Sequence, residues 1–167
     1  MRKSKIDYYL SIAKNVAERS TCSRRKFGAV LVKNDSMIAS GYNGSARGTL
    51  NCGEDVPCLK DISGELPLVS YDTCPAVHAE QNCLLLADPD RRIGGTMYLA
   101  SSTTTDGDRP CHLCRRYILQ SGISDIYYLD KNGKLQHEVI SNWVDMENKW
   151  MLNIQKIHTG RDRPLTL

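Results

Sequence analysis

Two short clusters of metal-binding residue types, with an apolar run between them, constrain this chain more than anything else in it. Cys74-Pro75-Ala76-Val77-His78-Ala79-Glu80 comes first, and Arg109-Pro110-Cys111-His112-Leu113-Cys114 follows. An imidazole and two thiolates supply the three protein ligands of an open tetrahedral zinc site, in which the fourth position is left for water. Glu80, two residues after His78, is near enough to reach that water without itself binding metal. A carboxylate so placed moves protons. Together these residues imply a zinc-dependent hydrolytic centre.

Each half of the pattern is weak by itself. Cys-x-x-Cys also serves redox pairs and halves of structural zinc sites, and His-x-Glu alone says little. Joined in this order, with Pro110 ahead of Cys111 and with helix, loop and strand character between them, they become specific. The competing reading is a pair of buried core cysteines and a hydrogen-bonded histidine.

Composition narrows the setting. The 167 residues suit one domain with a sizeable core. A net charge of +3 requires no polyanionic partner, so polymeric nucleic acid is not expected, while small phosphorylated ligands remain natural. No apolar run approaches a membrane span. Met1-Arg2-Lys3-Ser4-Lys5 leads into an amphipathic segment instead of an apolar signal core, so the expected location is the cytoplasm. Seven cysteines are many for a chain in a reducing compartment, which favours metal binding over disulfides.

Along the chain, Ile6, Tyr9, Leu10, Ala13, Val16 and Ala17 predict an amphipathic helix over residues 4–18. Phe27 to Val32 reads as a buried strand, Lys33-Asn34-Asp35-Ser36 as a turn and Met37 to Tyr42 as the antiparallel partner. Asn43 to Asp72 lacks periodicity, a length of loop that compact domains keep for function. His78 to Ala87 predicts a helix with Cys83, Leu84 and Leu86 toward the core, stopped at Asp88-Pro89-Asp90. Thr96 to Ala100 is a short buried strand. Ser101 to Arg109 is loop, and Cys111 to Gln120 is a second helix ended by Gly122. Asp125 to Leu129 is a strand, followed by a turn at Asp130-Lys131-Asn132-Gly133. Trp143, Met146, Trp150, Met151, Ile154 and Ile157 repeat at helical spacing over residues 141–157, and that stripe is expected in the core. Strands alternating with helices predict an α/β sandwich around a mixed sheet. Two helix N-termini aimed at one metal also favour thiolates there.

The order His-x-Glu, then Pro-Cys-x-x-Cys, resembles the zinc-dependent nucleoside and nucleotide deaminases. Gly41-Tyr42-Asn43-Gly44, Arg24-Arg25-Lys26-Phe27-Gly28-Ala29-Val30 and His78-Ala79-Glu80-Gln81-Asn82 look like the deoxycytidylate branch of that superfamily. The resemblance covers about Phe27 to Leu129. It implies one deaminase domain over residues 1–167, a three-layer α/β/α sandwich with a five-stranded sheet, and hydrolytic deamination of a cytosine nucleotide, dCMP to dUMP. It implies His78, Cys111 and Cys114 as ligands of a catalytic zinc and Glu80 as the proton shuttle. It further implies a homo-oligomer, with dCTP and dTTP as effectors. Asn43 is then a contact for the sugar hydroxyl, or only part of a tight turn. Ala79 also falls in the substrate site. For a phosphate, Arg24, Arg25 and Lys26 form the densest basic cluster, and Tyr128 with Lys131 is a second candidate pair. All five also fit a solvated charged face.

Members of this branch often carry a second, structural zinc. Cys22 and Cys52 fall where its ligands occur, and Cys58 and Cys74 would complete a closed four-thiolate site that pins the long loop. The other reading is four separate thiols. Cys83 is expected to be an ordinary core residue. The chain departs from the family at Arg109, where a small or aromatic residue usually precedes the proline, and in the basic run Cys111-His112-Leu113-Cys114-Arg115-Arg116. His112 is expected to be exposed and not a fourth ligand. Alternatives to dCMP are CMP, a nucleoside or base, a specialised metabolite, or, from another class, a zinc-stabilised binding module without turnover. Adenosine in tRNA is disfavoured by the absence of an extended basic face.

Overall fold

The computed structural model describes residues 2–62, 74–102 and 107–159. Helix α1 (Lys5–Ala17) starts where Ser4, in extended backbone, accepts a hydrogen bond from the Asp7 amide. That satisfies one of the donors every helix start leaves unpaired. Strands β1 (Phe27–Lys33) and β2 (Ser36–Tyr42) form the expected hairpin. Its turn places Asn34 at φ 49° and Asp35 at φ 60°, the positive values a two-residue turn of this hand demands and that Asn and Asp tolerate. The phenol of Tyr9 donates to the Asp35 carboxylate and so ties the turn to α1.

Strands β5 (Thr96–Ser101), β6 (Asp125–Leu129) and β7 (Leu135–Val139) complete a five-stranded sheet in the order β2-β1-β5-β6-β7. The β5–β6 pair is parallel and the other three are antiparallel, so the sheet is mixed as expected. Strands β1 and β5 are covered on both faces, which is why they read as unbroken apolar runs. Val30, Val32, Tyr98 and Ala100 meet α1 through Tyr9, Leu10 and Ala13. Ala29, Leu31, Met97, Leu99 and Ile126 face the opposite layer, built from α3 (Ala79–Leu86), α5 (His112–Ser121) and the start of α6 (Asn142–Thr159). That layer contributes Cys83, Leu84, Ile118 and Trp143. Two close approaches need glycine. A β-carbon on Gly28 would fall 2.0 Å from the Ala13 carbonyl oxygen in α1, and one on Gly41 2.3 Å from the Cys83 amide nitrogen in α3.

Several expectations are corrected. Strand β7 went unplaced because its exposure alternates and its residues, Leu135 to Val139, are mostly polar; pairing with β6 holds it in the sheet. Asn43 to Asp72 is not wholly irregular. It contains β3 (Gly44–Ser45), a bridge between Cys52 and Val56, and helix α2 (Leu59–Ile62); residues 63–73 lie outside the described ones. Leu86 does not reach the core but is 61% exposed, because it shares with Leu85 the helix face opposite the buried Cys83, Leu84 and Ala87. Asp88 caps a further short helix, α4 (Pro89–Arg92), with Pro89 in the first turn where its missing N–H is harmless. The stripe on α6 is core at Trp143 alone. Met146, Trp150, Met151, Ile154 and Ile157 are exposed, while Glu147 and Trp150 still meet α5 through Arg115, Arg116 and His112.

Candidate metal centre and active site

Both metal-ligating clusters sit at helix starts. Strand β4 (Ala76–Val77) pairs with β3, and the chain enters α3 immediately afterwards. His78 is the residue before the first helical turn, in extended backbone, and its N–H donates to the Gln81 side chain at 2.9 Å. Asn82 anchors the same helix to the end of β2 by donating to the Tyr42 carbonyl at 2.7 Å. Cys111 holds the equivalent position before α5, also extended, and Cys114 lies in the first turn with its N–H directed at the Cys111 sulfur. At the far end Gly122, at φ 77°, closes α5 in the left-handed conformation.

These starts converge. Nδ1 of His78 is 3.5 Å from the Cys111 sulfur and 3.2 Å from the Cys114 sulfur. Zinc–nitrogen and zinc–sulfur bond lengths set tetrahedral edges of about 3.5 to 3.8 Å, so the donor set fits zinc. Among the described residues His78, Cys111 and Cys114 form the only such group of three or more potential ligands, all within 4.8 Å of one another. Glu80 is 5% exposed and lies within hydrogen-bonding reach of Cys114. Burial pushes its carboxyl above the usual carboxylate range. Hydrogen bonds from Cys114 and His78 bring the Cys111 thiol down to about 3, while its bond to Cys111 and burial push the Cys114 thiol up. His112 turns away: it is exposed, its ring lies against the Arg115 guanidinium, and Trp150 is 6.0 Å from it.

A cavity of about 510 Å³ opens over this cluster. Asn43 and Ala79 line it, as do Arg24 and Arg25. Asn43 is buried, and its amide is engaged by backbone on both sides: Oδ1 accepts from the Phe27 N–H and Nδ2 donates to the Arg25 carbonyl, each at 2.7 Å. Arg24 pairs with Asp61 at 2.8 Å. Arg25 donates to the Gly107 carbonyl, its guanidinium 4.8 Å from the Phe27 ring. Lys26 is not part of the lining. Tyr128 and Lys131 border a separate groove of about 340 Å³. The phenol of Tyr128 donates to the Glu138 carboxylate. The residues singled out for phosphate are thus divided between two cavities.

Cys22, Cys52, Cys58 and Cys74 all line the larger cavity. Burial raises the Cys52 thiol, and the neighbouring Cys58 and Cys22 add to the effect. Cys83 is fully buried in the core, its thiol pushed up to about 12.

Sequence reasoning gave no role to Lys60, Arg109 or Glu138. Lys60 lines the main cavity from α2, inside a stretch with no periodicity to announce it. Arg109 stood out only as a family departure, and it borders both cavities. Glu138 carried no signal, because its partner Arg109 is 29 residues away.

Comparison with known proteins agrees with this geometry. Residues 3–130 match the family described as the cytidine and deoxycytidylate deaminase zinc-binding region. The deoxycytidylate deaminase of Mycobacterium phage D29 is 39% identical over 127 residues, covering 73% of this chain and 91% of that protein. That of Schizosaccharomyces pombe is 38% identical over 127 residues, 76% of this chain but 37% of the relative's length. Among solved structures, the dCMP deaminase of cyanophage S-TIM5 in complex with dCMP and dUMP superposes with a TM-score of 0.53 at 26% identity, covering 75% of this chain and 82% of that one. A matching span that includes four of the five strands of the sheet, both helix starts and the ligands they carry leaves one assignment: this chain is a member of the cytidine and deoxycytidylate deaminase family.

Proposed function

We propose that the chain hydrolytically deaminates a cytosine nucleotide, dCMP to dUMP, with release of ammonia. The observation that carries this reading is the buried Glu80 carboxyl beside the converging donor atoms of His78, Cys111 and Cys114. Zinc held by those three residues supplies Lewis acidity, which brings the pKa of a water at the fourth position toward neutrality. Glu80 accepts the proton that the attacking water gives up and passes it to N3 of the cytosine ring. C4 becomes tetrahedral. Glu80 then carries the remaining proton of the new C4 hydroxyl to the departing amine, the C4–N bond breaks with loss of ammonia, and C4 collapses to the keto group of dUMP. A raised carboxyl pKa suits a group that must both take and give a proton near neutral pH.

The substrate assignment rests on the relatives named as deoxycytidylate deaminases and on the cations of the cavity wall, Arg24, Arg25, Lys60 and Arg109, which suit a phosphate. A second, structural zinc on Cys22, Cys52, Cys58 and Cys74 belongs to the same reading, supported by their shared cavity and by the nearness of Cys58 and Cys22 to the Cys52 thiol. So does self-assembly: α6 leaves Trp150, Met151 and Ile157 exposed, and exposed apolar patches mark contact surfaces. No helix among the described residues is long and apolar enough to cross a membrane. The seven free cysteines suit the reducing cytoplasm.

Ammonia release from dCMP, CMP, dCTP, cytidine, guanine and adenosine tests the function. Fastest release from dCMP is expected, and dCTP and dTTP added to the same assay check the effectors. Faster release from a non-cytosine compound would displace dCMP, and silence on all six would favour a binding module.

A further inference from the structure

Glu138 gathers three separate parts of the fold onto one carboxylate. Arg109 forks onto it, Nε to Oε1 at 3.1 Å and Nη2 to Oε2 at 3.3 Å. The Trp143 indole N–H, from α6, donates to Oε2 at 2.6 Å, and the Tyr128 phenol, from β6, donates to Oε1. Arg109 lies two residues ahead of Cys111. The adjoining Asp108 amide is fastened to the Leu129 carbonyl at 2.8 Å, so the loop that leads into the metal cluster is pinned to the β6–β7 hairpin.

The guanidinium held in this way occupies a special place. It borders the cavity that contains Glu80 and Cys111, and it also borders the groove lined by Tyr128, Asp130 and Lys131. Its side chain is 49% exposed, whereas that of Glu138 is 20% exposed, so the arginine faces the open space and the carboxylate stands behind it. Two neutral donors share the carboxylate's charge, and the guanidinium is therefore not the whole of its compensation. A planar fork already locked in position has little freedom left to lose when an anion arrives. The other arginines of the wall are differently engaged, Arg24 with Asp61 and Arg25 with the Gly107 carbonyl.

We propose that Arg109 contacts the phosphate-bearing end of the nucleotide where the two cavities meet, and that Glu138 is the positioning residue that aims it. This rests on the deaminase reading above, with the base beside Glu80 and the anionic end toward the groove. Arg109 then contributes to the preference for a nucleotide over a nucleoside.

The experiment uses the full chain loaded with zinc. It measures kcat and KM for dCMP and the competitive inhibition constant of 2′-deoxycytidine, with zinc content determined for every variant. Arg109→Met is expected to raise KM for dCMP about tenfold or more, as loss of a charged hydrogen bond implies. Its kcat should stay within about threefold and the deoxycytidine constant should hold, the pattern of a lost binding contact. Glu138→Gln keeps size and one acceptor and should shift KM for dCMP the same way by a smaller factor. Arg109→Lys, which keeps the charge but not the fork, should fall between parent and Arg109→Met. An unchanged KM for dCMP in Arg109→Met, or an equal change for dCMP and deoxycytidine, overturns the inference and makes Arg109 a packing residue. Should Arg109→Met lose zinc or fail to fold, Arg109→Lys and Glu138→Gln decide by the same comparison. A parent chain that does not turn over dCMP sinks the deaminase reading and this inference together; turnover with the ratio unmoved sinks this one alone.

Discussion

Nδ1 of His78 lies 3.2 Å from the sulfur of Cys114, although the two residues are 36 positions apart in the chain. The contact exists because α3 and α5 lie on the same face of the sheet, and each begins with a ligand in extended backbone. Fold and site are therefore coupled: whatever displaces either helix start opens the metal cluster.

Loss of a ligand should abolish that cluster. Cys114→Ser replaces a thiolate with a hydroxyl that stays protonated at neutral pH. Zinc affinity is expected to fall by more than the ~10–100-fold that accompanies loss of a mere outer-shell partner. Equilibrium dialysis against a zinc chelator reads this directly, and an affinity equal to that of the parent would remove Cys114 from the site.

A distant glycine should act on the same cluster. A β-carbon at Gly41 meets the Cys83 amide nitrogen at 2.3 Å and the Ala79 carbonyl oxygen at 2.7 Å, both backbone atoms of α3. Gly41→Ala must push that helix away from β2 at a cost of ~1–3 kcal/mol. Both the melting temperature and zinc retention are expected to drop, whereas Gly48→Ala, which strains its own backbone at φ 81° but meets nothing within 4 Å, should lower the melting temperature and leave zinc retention intact. Parent-like zinc binding in Gly41→Ala would show that helix docking does not set the ligand geometry.

Asp108 predicts a pH-dependent stability. Burial raises its carboxyl to about 6, against opposing contributions from the Ser101 backbone and the Arg25 charge. The folded state thus holds the proton more tightly than the unfolded chain. The associated stability is full below the ordinary carboxylate pKa and is lost as pH rises through about 6. At pH ~7.5 holding the ionised group costs on the order of 1–2 kcal/mol. Asp108→Asn should therefore raise the melting temperature by ~2–6 °C near pH 7.5 and by clearly less near pH 4. Equal gains at both values would rule out ionisation as the cause.

The four remaining cavity cysteines predict a metal count. Elemental analysis of the pure parent should give two zinc ions per chain. Cys52→Ser should lower this toward one, leaving the His78 site filled and the melting temperature reduced. One zinc in the parent would make Cys22, Cys52, Cys58 and Cys74 separate thiols.

What could be read from the chain followed from which features are local. His78, Glu80, Cys111 and Cys114 were legible because their spacing and order are themselves the chemical signature. Strands β1 and β5 were legible because burial on both faces confines charged and aliphatic hydroxyl residues to their ends, and the hairpin because Asn34 and Asp35 accept positive φ. Strand β7 was not, since Gln136, His137 and Glu138 look like loop until β6 pairs with them. The periodicity of α6 revealed an apolar face but not whether anything within the chain covers it. Met151, at 55% exposed, shows the difference. The division of the phosphate candidates between two cavities, and the Arg109–Glu138 fork between them, depend on how distant strands and loops close together. No local pattern encodes that.

The most direct measurement is the rate at which dCMP is converted to dUMP by the parent and by Glu80→Gln at matched zinc content, followed by the change in ultraviolet absorbance of the base. Glu80→Gln should keep its zinc and lose at least the ~10²–10⁴-fold that a general acid–base group contributes. Parent-like turnover by Glu80→Gln, or no turnover by a parent carrying its full zinc, would contradict a centre in which His78, Cys111 and Cys114 hold the metal and Glu80 moves the proton.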